Sequence, residues 1–600
     1  MKLNKFLLSA IAAASLTACS DSTDVVDSNK GHWNADGTGY VSLSISMPDN
    51  VGSKGSRAKT NDNFVKGDDK EYVVNNATLV IFSGDADNEA SMTFEAAYDL
   101  PLSFTTVGGN GDQIISKGKL TKQIDKITKT YAKALVILNM PSNLHLDGNS
   151  LTYDVTTATG TTTETFNGTF KKFQELQSKL NVDVANGFTM TNAPLTKGQS
   201  SATATPTTGK TTTLATINKK NIKPTAEEAS NHPAADIYVE RSVAKVTVDN
   251  NTGTAPTITT NTNIKYNIDG YVLDNTNSTS FIVRNADETS SWFNLTSKSA
   301  SVDGNNCRYR FVGNSPVYGA SNDGTGGYYR TYWAKDPNYT NPASETGQAK
   351  VGLETNTTYD TFTSIDKASY CRENTFDVEN QTQENTTRAI LRVQMWTGED
   401  GNKGHTYYMY NDDATTFTDN LASAANNIVN NLAGVPSGTT VQEVELENPV
   451  KGKAKIKSIK INSNATEVST GNIFESLKNY FGDITVYTNG YAYYPVLIKH
   501  FGDQLTPWNI EGTGKEWSTT QPSTNNIYPG TDEERNNNYL GRYGVVRNNW
   551  YELKINSVKR PGKSTINTPK DTPDDKLDSY ISVSINILSW AKRSQDVDLQ

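Results

Sequence analysis

Tyr40-Val-Ser-Leu-Ser-Ile-Ser-Met47 alternates without interruption. Successive side chains of a strand point to opposite faces, so Val41, Leu43, Ile45 and Met47 share one side and the serines the other. The pattern predicts a strand with one face buried and one face wet. Tyr580-Ile-Ser-Val-Ser-Ile-Asn-Ile587 repeats it at the far end of the chain, with Ile581, Val583, Ile585 and Ile587 on the apolar side and Trp590 beyond. Two matching strands at opposite ends of one chain have two readings. They are ordinary edge strands of one folded monomer, or one of them replaces the other between copies.

The sequence between these ends is rich in Thr, Asn, Gly and Tyr and poor in helical periodicity. Alternating segments recur at Tyr72–Phe82, Tyr131–Leu138, Ile237–Val248, Ile264–Leu273, Ala389–Met395, Ile484–Tyr487, Tyr491–Ile498 and Tyr551–Ile555. Turn pairs punctuate them: Asp147-Gly148, Asn167-Gly168, Asp269-Gly270, Asp303-Gly304, Asp323-Gly324 and Asn489-Gly490. Many short strands with such turns predict an all-β chain of sandwich domains with a few short helices. Helices are predicted over 173–180, 421–432 and 473–481. In the last, Ile473, Leu477 and Phe481 share a face, Asn472 is the candidate N-cap and Gly482 the stop. The Thr-rich stretch 200–213 reads as an exposed loop. A boundary near 235 divides the chain into 58–235 and 236–600.

The chain has 600 residues, which predicts at least two domains. Lys2 and Lys5 precede an apolar run from Phe6 to Leu16 and then Leu16-Thr17-Ala18-Cys19. A basic start, a short apolar core and small residues before a cleavage point mark an export signal over 1–18. Cys19 fits the lipidation site of a bacterial lipoprotein, which would hold the precursor to a membrane only through its acyl chains; otherwise Cys19 is incidental to an ordinary signal peptide. The propeptide then spans 19–57 and carries the strand at 40–47. Between Pro48 and Asn63, Lys54, Arg57 and Lys59 lie among Gly and small polar residues, a segment suited to a trypsin-like protease. Cys307 and Cys371 remain, either as one disulfide or as two thiols.

Net charge is −9, with 56 basic and 65 acidic residues, which argues against nucleic acid. The five histidines, His32, His145, His232, His405 and His500, form no metal-binding pair at helical spacing. Asp85, Asp87 and Glu89 begin a calcium-loop spacing, but Ala90 and Ala96 stand where Gly and a bidentate acid are needed, leaving a solvated acidic loop. Gly108, Gly109 and Gly111 are not followed by the Lys-Ser/Thr of a phosphate loop. No catalytic residue, metal site or cofactor is predicted, and the chain is not read as an enzyme.

Removing an ordered strand exposes an apolar groove and unpaired backbone groups. A strand from another copy can fill it by β-strand addition. Donor and groove are different surfaces, so the contact is head-to-tail and builds an open filament.

The lipobox, the strand at 40–47 and the basic segment ending at Arg57 resemble the precursors of Bacteroidales type V fimbrillins. So do Tyr238-Val-Glu-Arg-Ser-Val-Ala-Lys-Val-Thr-Val248 and Tyr543-Gly-Val-Val-Arg-Asn-Asn-Trp-Tyr551. Tyr370-Cys-Arg-Glu-Asn-Thr-Phe-Asp-Val-Glu-Asn380 and the tail from Ile585 to Leu599 look like the Mfa-type branch, nearest the shaft subunit of minor, or short, fimbriae. The resemblance implies a structural pilin with two transthyretin-like, Greek-key β-sandwich domains. It implies lipid on Cys19, cleavage at Arg57-Ala58 with Lys54 and Lys59 as rivals, and loss of the strand bearing Val41, Leu43, Ile45 and Met47. The donor would be 580–588, carrying Ile581, Val583, Ile585 and Ile587, with Trp590 after it. The implied partners are other copies, anchor and tip subunits, the maturation protease and host or bacterial surface receptors. The implied place is a cell-surface fimbrium serving adhesion, coaggregation or biofilm. Two alternatives stay open. One is a monomeric surface lipoprotein binding glycans through some of its 29 tyrosines and 8 tryptophans. The other is a fimbrial tip adhesin.

Overall fold

The computed structural model describes residues 31–46, 67–197 apart from 103, 110–112 and 158, 211–285, parts of 328–337, 353–354, 361–375, 382–500 with short gaps, 543–569, 581–589 and 592–594. Strands dominate and helices are few and short, as an all-β chain requires. Among the described residues no helix is long and apolar enough to cross a membrane.

The first sheet is built from β1 (Thr38–Ser46), β2 (Ala77–Gly84), β3 (Thr93–Asp99), β4 (Phe104–Gly109), β5 (Gln113–Asp125), β6 (Tyr131–Leu138), β7 (Met190–Asn192) and β8 (Ala235–Arg241). Its order is β3-β2-β6-β7-β8-β1-β5-β4. One apolar core gathers Val41, Leu43 and Ile45 with Leu79, Ile81, Leu120, Ile124, Val136, Ile237 and Val239. A second core lies on the other side of β2 and β6 and joins Val80, Phe82, Leu135 and Ile137 to Phe166, Phe170 and Phe173. β2 is therefore buried from Ala77 to Ser83 on both faces.

The second half of the chain opens with β9 (Val243–Asn250), β10 (Asn261–Asp274), β11 (Ser369–Arg372), β12 (Arg388–Thr397), β13 (Tyr491–Leu497), β14 (Asn549–Val558) and β15 (Ile581–Ser589). One sheet runs β11-β9-β14-β15 and ends on Lys592–Ser594. Another runs from Thr257–Ile258 through β10 and β12 to β13. Their shared core takes Val246 and Val248 from β9, Tyr266 and Ile268 from β10, Leu391 and Val393 from β12, Tyr494 from β13, and Tyr551, Leu553 and Ile555 from β14. A smaller core beside it packs helix Leu421–Val429 and helix Asn472–Phe481 on short strands.

Several elements differ from the sequence reading. The alternation Ile237–Val248 is two strands, and the chain leaves the first sheet for the next at Ser242, whose N–H bonds the Thr189 carbonyl at 2.9 Å. Helix 173–180 is a single turn at Phe170–Phe173, followed by Gln177–Ser178 paired with Ser280–Phe281. Asn472 is the first helical residue and Gly471 the cap, and Phe474 joins Leu477 and Phe481 on the buried face. Asp269-Gly270 is a bulge inside β10, and its carboxylate meets Arg392 across the ladder at 2.6 Å. Thr213 is buried, with its N–H bonded to Glu89, while 198–210 lies outside the described residues. Glu89 is accordingly a buried clamp, whereas Asp85 and Asp87 pair with Lys129 and Lys133, each at 2.8 Å.

Gly490 sits at φ +71° where the chain enters β13, and a Cβ there would strike the Met395 carbonyl oxygen. Gly490→Ala is expected to cost at least about 1–3 kcal/mol, read as a lower urea midpoint with an unchanged slope.

Candidate functional site

The strand at 38–46 is not an edge. It is antiparallel to β5 over nine residue pairs from Thr38↔Asp125 to Ser46↔Lys117. On its other side it is parallel to β8 from Leu43↔Ala235 to Ser46↔Tyr238. Ahead of β8 the backbone partners continue. Tyr40 and Lys223 exchange N–H···O bonds at 2.8 and 3.0 Å, and the Ala234 N–H bonds the Ser42 carbonyl at 2.7 Å. Val41 and Leu43 are fully buried and Ile45 is 1% exposed. Burial of three such side chains contributes roughly 5–9 kcal/mol gross, at about 1.5–3 each.

The outer face departs from the expected wet face at one place. Ser42 is 0% exposed, because α1 (Ala226–Asn231) packs across β1 and β5. Its hydroxyl accepts from Thr121 at 3.2 Å. Alternation marked the inner face but carries no trace of a helix arriving from so far along the chain. The stretch before β1 adds a further anchor. Asn34 and Thr38 close a tight turn at 2.7 Å, which folds Trp33 back beside Gly39 and Ile222 at the end of the core. The His32 N–H bonds the Ile222 carbonyl at 3.2 Å. A cleft of about 400 Å³ opens there between His32 and Lys223, Glu228 and His232.

At the other end, β15 lies in the chain's own second sheet. It pairs antiparallel with β14, which sets Ile581, Val583, Ile585 and Ile587 opposite Val558, Ile555, Leu553 and Tyr551. Those four partners are all fully buried in the core. Cys19, Met47, Lys54, Arg57, Ala58, Lys59, Cys307 and Trp590 lie outside the described residues.

Sequence reasoning missed a buried charge seam. The three internal segments that carried the resemblance converge on it. Glu71 takes Lys245 at 2.6 Å, the Tyr370 hydroxyl at 2.5 Å and, through its backbone carbonyl, Arg241 Nε at 2.9 Å. Arg284 pairs with Glu240 at 2.8 Å and donates to the Arg547 carbonyl at 3.1 Å. Arg547 pairs with Glu373 at 3.0 Å. Residues of β8 are thus tied to β9, to β11 and to the segment entering β14. Burial raises the Tyr370 hydroxyl's pKa, and the Glu71 carboxylate adds to it. Charges on strands read as a solvated face in sequence; only their partners reveal a buried cluster.

No group of three metal-ligating side chains occurs among the described residues. Tyr271, Tyr407, Tyr487, Tyr494 and Tyr551 are fully buried, which removes them as platforms for sugar. Cys371 is a free, buried thiol on β11, and desolvation pushes its pKa up to about 12.

Residues 525–596 match the family model described as major fimbrial subunit protein type IV, fimbrillin, C-terminal. The C-terminal stretch is therefore similar to that of major fimbrial subunits. Among curated protein sequences, none matches the chain. A putative cell adhesion protein from Parabacteroides distasonis is 12% identical, with 92% of this chain and 98% of that one covered at a TM-score of 0.34. A putative cell adhesion protein from Bacteroides eggerthii is 11% identical, covering 95% and 99% at 0.30. The tip fimbrial protein Mfa3 from Porphyromonas gingivalis, C-terminally truncated, is 11% identical, covering 92% and 100% at 0.26. These TM-scores are too low to carry an argument.

Leu43→Ala is expected to destabilise the unclipped chain by about 2–5 kcal/mol in urea unfolding. Cys371 should resist alkylation at pH 8 in the folded chain and react fully once unfolded, as mass spectrometry would show.

Proposed function

We propose that this chain is a structural pilin, a fimbrial subunit that polymerises after losing its first strand. One observation carries the reading: β1, the segment joined to the basic stretch at 54–59, is seated inside a sheet between β5 and β8 with three side chains in the core. A cut after Arg57, with Lys54 and Lys59 as rival sites, detaches β1 together with Cys19 and its lipid. The vacated slot then has unpaired backbone on both edges and an apolar floor. The tail at 580–588 has the same alternation and enters the slot of the next copy.

The energetics favour such an exchange. In leaving its own sheet, β15 gives up its ladder to β14 and the short pairing with Lys592–Ser594, and in the slot it gains ladders along both edges. Each ladder bond contributes about 0.5–1.5 kcal/mol net. The apolar floor adds burial that neither separated copy has, and association costs reduce the sum.

The fimbrillin match at 525–596 supports a subunit role. The separate cores of the first sheet and of the second half of the chain support two β-sandwich domains of the transthyretin-like type. The reading places the precursor on the outer membrane and the mature chain in a surface fimbrium with anchor and tip subunits. It makes the clipped copy, a shaft subunit with both slot and donor, the unit of assembly.

N-terminal sequencing of protein sheared from cell-surface filaments tests the scheme. Ala58 is the expected first residue. Acylated Cys19 inside the filament would sink the cleavage step.

A further inference from the structure

The slot that β1 occupies is not equally tolerant along its length, and two places in it admit only small residues. The first is Gly39, on the core side with Val41, Leu43 and Ile45. A Cβ there would lie 2.9 Å from Ile222 Cγ2 and 2.8 Å from Trp33 Cε3. Trp33 belongs to the detachable piece, but Ile222 stays and is fully buried. The second is Ser42 on the opposite side. It is closed over by α1, with Thr121 Oγ1 at 3.2 Å and no exposed surface.

We infer that these two places act as a size gauge that fixes the register of the incoming tail, with Ser579 taking the place of Gly39 and Ser582 that of Ser42. The inference rests on the strand-exchange reading above and deepens it. In this register Ile581, Val583 and Ile585 replace Val41, Leu43 and Ile45, and Tyr580 replaces Tyr40. A seryl Cβ at the first place would stand 2.9 Å from Ile222 Cγ2, so Ile222 must shift, into space that Trp33 has left.

Other registers fail on one gauge or the other. Odd shifts turn the serines into the core. Moving the tail two residues so that Ser584 meets the second place puts Ile581 at the first, where a β-branched side chain meets Ile222. Moving it two residues the other way puts Tyr580 under α1. A reversed strand meets the same gauges. With Ser582 or Ser584 under α1 it brings Ile585 or Ile587 to the first place. It would also have to pair antiparallel with β8 and parallel with β5, changing the bond spacing that both present. Apolar alternation alone would accept all the even registers, so the gauge supplies what the pattern lacks.

The full-length, unclipped chain tests this directly, because β1 can be rewritten in place, with Trp33→Ala in the parent and in every graft to empty the space that clipping empties. One graft installs the residues of 579–586 at 39–46, and a second installs those of 581–588. Both keep the alternation and place a serine at 42; they differ in what meets Gly39's surroundings, Ser579 in the first and Ile581 in the second. The in-register graft is expected to unfold at nearly the urea midpoint of the Trp33→Ala parent, and the shifted graft about 1 M lower, as overpacking of one site implies. Equal midpoints near that parent's value would overturn the gauge and leave strand exchange standing. Failure of both grafts to fold would show that the slot rejects the tail, and would overturn the exchange itself. In a narrower version, Ser42→Phe should lower the midpoint strongly while Ser44→Phe, at the half-buried neighbour, should lower it little; equal losses would count against the gauge.

Discussion

A strand bonded along both edges is the constraint on which this architecture depends. β5 and β4 reach the rest of the first sheet only through β1, since β8 and β5 are not neighbours. The core between the halves of that sheet takes Val41, Leu43 and Ile45 as central members. Such a strand cannot be absent without a substitute: its loss opens the ladder, uncovers the floor and undercuts α1 together. A segment at the chain's beginning is in this way made indispensable to packing while being attached by one covalent end.

The other end of the molecule has a complementary character. β15 lies near the margin of its sheet, bonded to β14 on one side and to three residues on the other. β14 keeps its parallel partner β9 whether or not β15 is present. Without β15 the second sheet would lose a border; without β1 the first would lose its middle. In the proposed exchange, that asymmetry, more than the similarity of the two sequences, suits one end to be the slot and the other the donor.

The sequence conveyed period and missed context. Tyr131–Leu138 and Ile484–Tyr487 were legible to the residue because alternation and boundary residues agreed. Ile237–Val248 read as one strand because nothing in Glu-Arg-Ser-Val signals a change of sheet; the break is set by where Thr189 and Asn548 lie. Ser42 read as wet because its cover comes from residues 226–231. The helix at 472–481 was found from its spacing, but Phe474 was overlooked because the apolar arc is wider than a strict i, i+4 row. Glu71, Glu240, Arg241, Arg284 and Arg547 were not singled out in the sequence, since charge pairing across hundreds of residues leaves no local pattern. β1 was legible as a strand beside a basic segment; its neighbours β5, β8 and α1 were not.

The charge seam has a mechanical consequence. β8 borders the slot and continues through Ser242 into β9, which lies alongside β14, and β14 holds the tail. Were copies joined as proposed, a pull on the fibre would travel along these strands lengthwise, loading many bonds at once in shear and none alone in peeling. Glu71 lies beyond the basic segment and is clasped by Lys245, Tyr370 and Arg241. The freshly cut end would be moored to the same line of force, so trimming would not loosen the subunit's spine.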